Sequence, residues 1–167
     1  MKQLLVLVLL FSIALSAGAQ DRQSVGSFHA MDGANYKDMT VDIWTNQTGN
    51  ILINTPTPYT LTPKDKDALI PLLQKAIRYM QVAKDNSTTV DFQKNVGSML
   101  TDEGAYVVVK FKTSGWEHSR AEVWIYEGGR NTILSISAKE VNDMVSVLLA
   151  AVGTATTSQR QIALFNK

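Results

Sequence analysis

The sequence predicts an α+β domain with antiparallel meandering strands and two helices packed on one side of the sheet. Three observations lead to this prediction. Apolar and polar residues alternate over several short segments, which is typical of strands with one buried face. Two longer segments space their apolar residues three and four positions apart and begin with helix-capping residues. Each helix follows a run of strands, which favours an α+β arrangement over an alternating α/β one.

Alternation predicts the strands of the first half in order. A weaker strand is expected over residues 24–31, followed by a strand at 39–44 and a short apolar strand at 51–53. The polar segment 46–49 supplies the turn between the last two. A bend with two prolines then leads to a short strand over residues 59–61. Three or four strands thus precede the first predicted helix.

The first helix is predicted to begin after Thr62 and to end near Ala83. Thr62 can accept a hydrogen bond from an otherwise unpaired backbone N–H. Pro63 suits the first helical position because its missing N–H would have no partner there. Pro71 lies inside the segment, so we expect either a kink or separate first turns.

The second half repeats this order of elements. A weaker strand is expected at residues 88–92, followed by strands at 107–112, 123–126 and 133–136. The Gly128-Gly129 pair between the last two strands is typical of a hairpin turn.

The second helix is predicted from a capping box in which Ser137 and Glu140 each satisfy the other's end of the first turn. It is expected to end near Val152, because Gly153 suits the left-handed position that closes many helices. The hydroxyl-rich residues 154–167 are expected to form a polar C-terminal tail.

The two halves align with each other, so the sequence predicts an internal duplication with repeats 24–83 and 88–152. The alignment offset changes only within turns, where insertions are tolerated. The order of elements is similar to that of the two-repeat PUR and whirly nucleic-acid-binding modules. The resemblance is one of element order alone, because the chain carries no signature of either family.

The amino end is typical of a secretory signal peptide over residues 1–19. Lys2 is followed by a nearly unbroken apolar run, Leu4–Leu15, and by the small residues Ala17-Gly18-Ala19. A twelve-residue run reaches about 18 Å as a helix, short of the roughly 30 Å hydrocarbon core, so it is not expected to be a membrane anchor. The rest of the chain has no second long apolar run, so no membrane span is expected after cleavage. We expect one soluble, exported domain, residues 20–167, in the periplasm or outside the cell.

Composition argues against several classes of function. The chain has 16 basic and 15 acidic residues, so removal of Lys2 leaves 15 of each and a formally neutral protein. Such a protein lacks the positive excess that is typical of nucleic-acid binding, and no nucleic-acid partner is expected. The absence of cysteine excludes disulfides, a thiol nucleophile and cysteine-ligated metal sites.

No sequence motif predicts a catalytic residue, a metal ligand or a cofactor. The two histidines, His29 and His118, lack the paired spacing of metal ligands, and no nucleophile-elbow serine occurs. Carboxylates that converge only in the folded chain leave a small secreted hydrolase as an alternative. The acidic residues weighed for this role are more simply helix-start or loop residues: Asp65, Asp67, Asp102 and Glu103.

The sheet face opposite the helices is the candidate binding surface. If the aliphatic strand positions point to the helices, alternation places several aromatic groups on the other face. The open face of an antiparallel sheet is usually polar, so these groups require a cover or a partner. The candidate binding residues are Trp44, Leu52, Tyr106, Lys110, Trp124 and Tyr126.

Three covers for this face are considered. The first is intramolecular: the segment 20–37, the tail around residues 162–165, or the sheet of the other repeat. The second is a homodimer, and the third is an unknown protein, glycan or lipid partner. The sequence thus predicts an exported binding or interaction module, with the hydrolase and a structural subunit of a cell-envelope assembly as alternatives.

Overall fold

Eight strands and two long helices make up the part of the chain that the computed structural model describes, residues 22–46 and 48–165. Side chains are described as far as Ala151. The predicted signal peptide, residues 1–19, lies outside the described residues.

The elements follow one another as four strands and a helix, twice. The first half contains β1 (Gln23–Asp32), β2 (Lys37–Thr45), β3 (Ile51–Asn54), β4 (Tyr59–Leu61) and α1 (Pro63–Asp85). The second half contains β5 (Asp91–Leu100), β6 (Tyr106–Ser114), a 3₁₀ turn (Trp116–His118), β7 (Arg120–Glu127), β8 (Arg130–Ile136) and α2 (Ala138–Phe165). This order fits the predicted repeats, and the duplication itself stays a prediction.

The strands form one antiparallel sheet in the order β4-β3-β2-β1-β8-β7-β6-β5, which confirms the α+β class. The two halves therefore lie side by side, and the idea that their sheets cover each other is wrong. They meet along a short ladder in which Met31 pairs with Ser135 and Asp32 with Leu134. The Gly33 N–H extends this ladder by donating to the Ile133 carbonyl over 2.8 Å.

Both helices pack on the same face of the sheet, which we call the inner face. Each helix contacts mainly the strands of the other half: α1 lies on β5 and β6, and α2 lies on β1 and β2. Because each helix packs on the strands of the other half, the two halves are joined through the core as well as through the sheet. The helix residues fully buried in that core include Leu69, Leu73, Ala76, Val141, Met144 and Leu148.

The first helix begins as predicted. The hydroxyl of Thr62 accepts a hydrogen bond from the Asp65 N–H over 3.2 Å, and the Thr62 N–H donates to the Asp65 carboxylate over 2.9 Å. The helix then runs unbroken through Pro71, which lies on its exposed side, so the prediction of separate first turns is wrong.

Three expectations about element ends and covering segments are also wrong. The second helix does not end near Val152 but continues to Phe165, because one interior glycine costs only about 1 kcal/mol and many good helix formers follow it. The predicted polar tail is therefore helical over residues 154–165. The weak strand expected at 88–92 lies at 91–100. Residues 23–32 form β1 within the sheet, so the described part of the segment 20–37 does not fold across the outer face.

Candidate functional site

Three aromatic side chains lie together on the outer face, the sheet face opposite the helices. Trp124 and Tyr126 are two residues apart on β7 and therefore point to the same side. On the neighbouring strand β6, Tyr106 pairs directly with Tyr126. Lys110 lies on the same face of β6. We call Tyr106, Lys110, Trp124 and Tyr126 the aromatic site.

The rings of the aromatic site form one continuous surface. The ring centroids of Trp124 and Tyr126 are 6.2 Å apart with an angle of 25° between the ring planes. Those of Tyr106 and Tyr126 are 6.3 Å apart at 35°. The ammonium of Lys110 lies 3.9 Å from the centroid of the Trp124 ring, which is a close cation–π contact.

Val108 and Ile133 flank Trp124 on the neighbouring strands and are buried, yet neither belongs to the core that the helices cover. The two tyrosines of the aromatic site are more exposed: Tyr106 is 45% exposed and Tyr126 is 38% exposed. Leu100, which pairs with Tyr106 from the edge strand β5, is 68% exposed. Sequence reasoning missed Leu100, because a single apolar residue at the end of a strand carries no pattern.

The indole N–H of Trp124 is hydrogen-bonded to Glu122, which is in turn held by an ion pair. Its indole N–H donates to Oε2 of Glu122 over 2.9 Å, and Oε1 of Glu122 lies 3.7 Å from the ammonium of Lys112. The carboxylate therefore already has two partners. In contrast, Lys110 has no carboxylate within 4 Å among the described residues.

Trp44 and Leu52 were predicted to share this surface, and the structure separates them from it. They pair with each other across β2 and β3 and are half-buried on the outer face. The strands β1 and β8 lie between Trp44 and Trp124. Strand spacing and register together place these two tryptophans roughly 30 Å apart. The six candidate residues thus form two clusters at distant places on one face.

A second apolar surface lies where the end of α1 meets the start of β5. Val82, Val90 and Phe92 are 56%, 61% and 48% exposed there, and they line a shallow groove together with Tyr79 and Phe111. The groove offers no carboxylate and no histidine. Sequence reasoning missed this surface because its residues come from separate elements.

Two of the carboxylates weighed for catalysis do converge. Asp65 is buried and accepts hydrogen bonds from the Thr62 N–H, the Thr62 hydroxyl and the Asp102 N–H. The hydrogen bonds that Lys64 and Thr62 donate to Asp102 lower the pKa of that exposed carboxyl. A general acid needs the opposite shift, so Asp102 is poorly suited to that role.

The histidines do not form a site with the acidic residues. His29 is exposed on β1 and His118 is exposed in the 3₁₀ turn. The carboxylate of Asp32 instead accepts hydrogen bonds from Ala34 and Asn35 within its own turn. Among the described residues, no group of three or more histidine or acidic side chains could hold a metal ion.

Comparison with known proteins found no family model, no curated protein and no solved structure that matches this chain. Within residues 22–46 and 48–165, no helix is long and apolar enough to cross a membrane. The molecule is thus defined as an α+β domain that carries an aromatic surface on the open face of an antiparallel sheet.

Proposed function

We propose that this protein is an exported, non-enzymatic binding module that holds its ligand on the aromatic site. The main observation that supports this proposal is that Leu100, Tyr106 and Tyr126 are exposed beside one another on the face opposite both helices. Adjoining exposed apolar side chains commonly mark a binding surface. The signal-peptide pattern of residues 1–19 supports export.

The size of this surface favours a compact ligand over a second copy of the chain. Large aromatic side chains bury about 150–250 Å² each, so the exposed parts of these three side chains offer on the order of 300 Å². A stable dimer commonly buries about 800 Å² on each partner. The same comparison argues against the structural-subunit alternative, which requires an extensive self-association surface.

Flat rings with few polar groups suit recognition by stacking more than catalysis. Glu122 is the carboxylate on the outer face of β6 and β7, and it is already engaged by Trp124 and Lys112. Stacking requires a ligand with a flat face of C–H groups or a π-system, such as a sugar. Of the carboxylates weighed for the hydrolase alternative, Asp65 completes the capping box of α1 and Asp102 is paired with Lys64.

The direct test replaces the exposed rings one at a time. Tyr106→Ala and Tyr126→Ala are each expected to weaken ligand binding at least fivefold while leaving the circular dichroism spectrum unchanged. Trp116→Ala is the control, because Trp116 is 38% exposed in the 3₁₀ turn, at the opposite ends of β6 and β7 from the two tyrosines. Binding is measured by calorimetry against oligosaccharides and lipids from the cell envelope. Wild-type affinity in both site variants would refute the proposal.

A further inference from the structure

We infer that the ligand of the aromatic site is an acidic oligosaccharide, which stacks on the two tyrosines and places a carboxylate or sulfate against Lys110. The inference rests on the proposed function and adds the chemical class of the ligand. It comes from the charges that continue the outer face beyond the rings.

The ammonium of Lys110 is positioned at the border of the aromatic surface. Its contact with the Trp124 ring, 3.9 Å from the centroid, holds it beside the rings rather than free in solvent. Glu122, the residue opposite Lys110 in the strand register, is engaged by Trp124 and Lys112. Lys110 thus keeps its charge for an incoming anion.

Arg120 supplies a second cation on the same face of β7, two residues from Glu122. It pairs in register with Lys112 and has no ion pair among the described side chains. The outer face of β6 and β7 therefore passes from the rings to three cations and one carboxylate. The acidic residues Glu103 and Glu127 lie at the opposite end, next to the turns that border the tyrosines.

The spacing of the cations Lys110 and Arg120, which have no ion pair among the described residues, indicates which kind of anion the site would bind. Lys110 and Arg120 are diagonal neighbours on adjacent strands, so their Cα atoms are about 7–8 Å apart. Such a site accommodates one or two anionic groups separated by neutral surface. A nucleic-acid strand instead carries a charge at every phosphate and requires a dense row of cations.

The backbone of the site argues for a sugar rather than a peptide. Both β6 and β7 are hydrogen-bonded to a strand on each side, so neither can accept an extended peptide by strand pairing. A pyranose ring with an acidic substituent combines a flat C–H face with an anionic group at its edge. The rings of Tyr106 and Tyr126 complement the C–H face, and the ammonium of Lys110 complements the anionic group.

The test uses two probes that differ at the carboxyl group, which is charged in one and a neutral ester in the other: an oligogalacturonide and its methyl ester. We expect the purified protein to bind the acid form at least tenfold more tightly in low salt, with a preference that shrinks as salt rises. Lys110→Gln is expected to bring the affinities for the acid and the ester close to each other, because it removes the charge that would meet the anion. Lys94→Gln is the matched control and should retain the preference, because the ammonium of Lys94 lies over the Tyr79 ring, on the side of the sheet that the helices cover.

The outcomes separate this inference from the proposed function. Equal affinity for both probes, with Tyr126→Ala weakening both, would overturn the acidic ligand and leave the binding module standing. Binding of neither probe would also overturn the inference, as would tighter binding of a single-stranded oligonucleotide. If the tyrosine variants bind every probe as tightly as wild type, the proposed function fails as well.

Discussion

The backbone N–H of Asp102 donates to Oδ1 of Asp65 over 3.1 Å, which ties the start of α1 to the turn between β5 and β6. The other oxygen of Asp65 accepts from both the N–H and the hydroxyl of Thr62. A single buried carboxylate thus helps to cap the start of α1 and joins the two halves of the chain. Lys64 completes the junction with an ion pair of 2.9 Å to the Asp102 carboxylate.

Asp65→Ala is expected to lower the free energy of unfolding by about 2 kcal/mol, since it removes one half of the capping box and leaves the part-buried N–H groups of Thr62 and Asp102 without this acceptor. Denaturant unfolding followed by circular dichroism measures this loss. Asp143→Ala is the control, because it breaks only an exposed pair with Lys139 and should cost about 0.3–0.5 kcal/mol. Equal effects of the two substitutions would contradict the structural role of Asp65.

Tyr59 is buried in the core, and its hydroxyl has no hydrogen-bond partner among the described residues. Burial of an unpaired hydroxyl is unfavourable, so Tyr59→Phe is expected to raise the free energy of unfolding by about 1 kcal/mol. Tyr36→Phe, at an exposed position, should leave it unchanged. A less stable Tyr59→Phe protein would mean that the hydroxyl makes a hydrogen bond.

The same tyrosine predicts a dependence on alkaline pH. Burial raises the pKa of Tyr59 above its ordinary value near 10. Above that pH the unfolded chain releases the proton first, so the contribution of this residue to stability falls as the pH rises, by up to about 1.4 kcal/mol per pH unit. The stability advantage of Tyr59→Phe should therefore widen between pH 10 and 11. A constant difference over that range would contradict the prediction.

Gly33 and Ile133 are in close contact at the junction of the two half-sheets. A Cβ at Gly33 would overlap Cγ2 of Ile133 and lie 3.0 Å from its Cβ. We expect Gly33→Ala to destabilise the protein by about 1–3 kcal/mol through overpacking. Ile133→Ala removes the overlapping methyl, so a double-mutant cycle should show that the two losses are less than additive. Strictly additive losses would show that the contact is absent.

Local signals in the sequence predicted much of the fold. The caps at Thr62 and Ser137 located both helix starts, because capping depends on residues within one turn. The edge strand β5 was misplaced because its first five residues are all exposed and show no alternation. The pairing of β1 with β8 depends on packing between distant segments, so no local pattern reveals it.

The candidate site was predicted in part for the same reason. Period-two alternation correctly placed Tyr106, Trp124 and Tyr126 on one face, opposite the helices. Alternation assigns a side chain to a face but gives no position along or across the sheet. Trp44 was therefore grouped with Trp124, although the strand order separates them by roughly 30 Å.

This separation yields a spectroscopic prediction for the three tryptophans, Trp44, Trp116 and Trp124. A ligand at the aromatic site should change the fluorescence of Trp124 alone, because its ring adjoins Tyr126 and Lys110. Trp124→Phe should abolish at least four-fifths of the ligand-induced change, whereas Trp44→Phe and Trp116→Phe should preserve it.

A polar replacement, Trp124→Gln, extends the test to the role of the ring itself. The indole is half-buried on the outer face and lies outside the core that the helices cover, so the monomer should stay folded while binding is impaired. Thermal unfolding and size-exclusion chromatography check the folded monomer, and calorimetry checks binding. Unfolding or aggregation of Trp124→Gln would instead identify Trp124 as a core residue whose contribution is to stability.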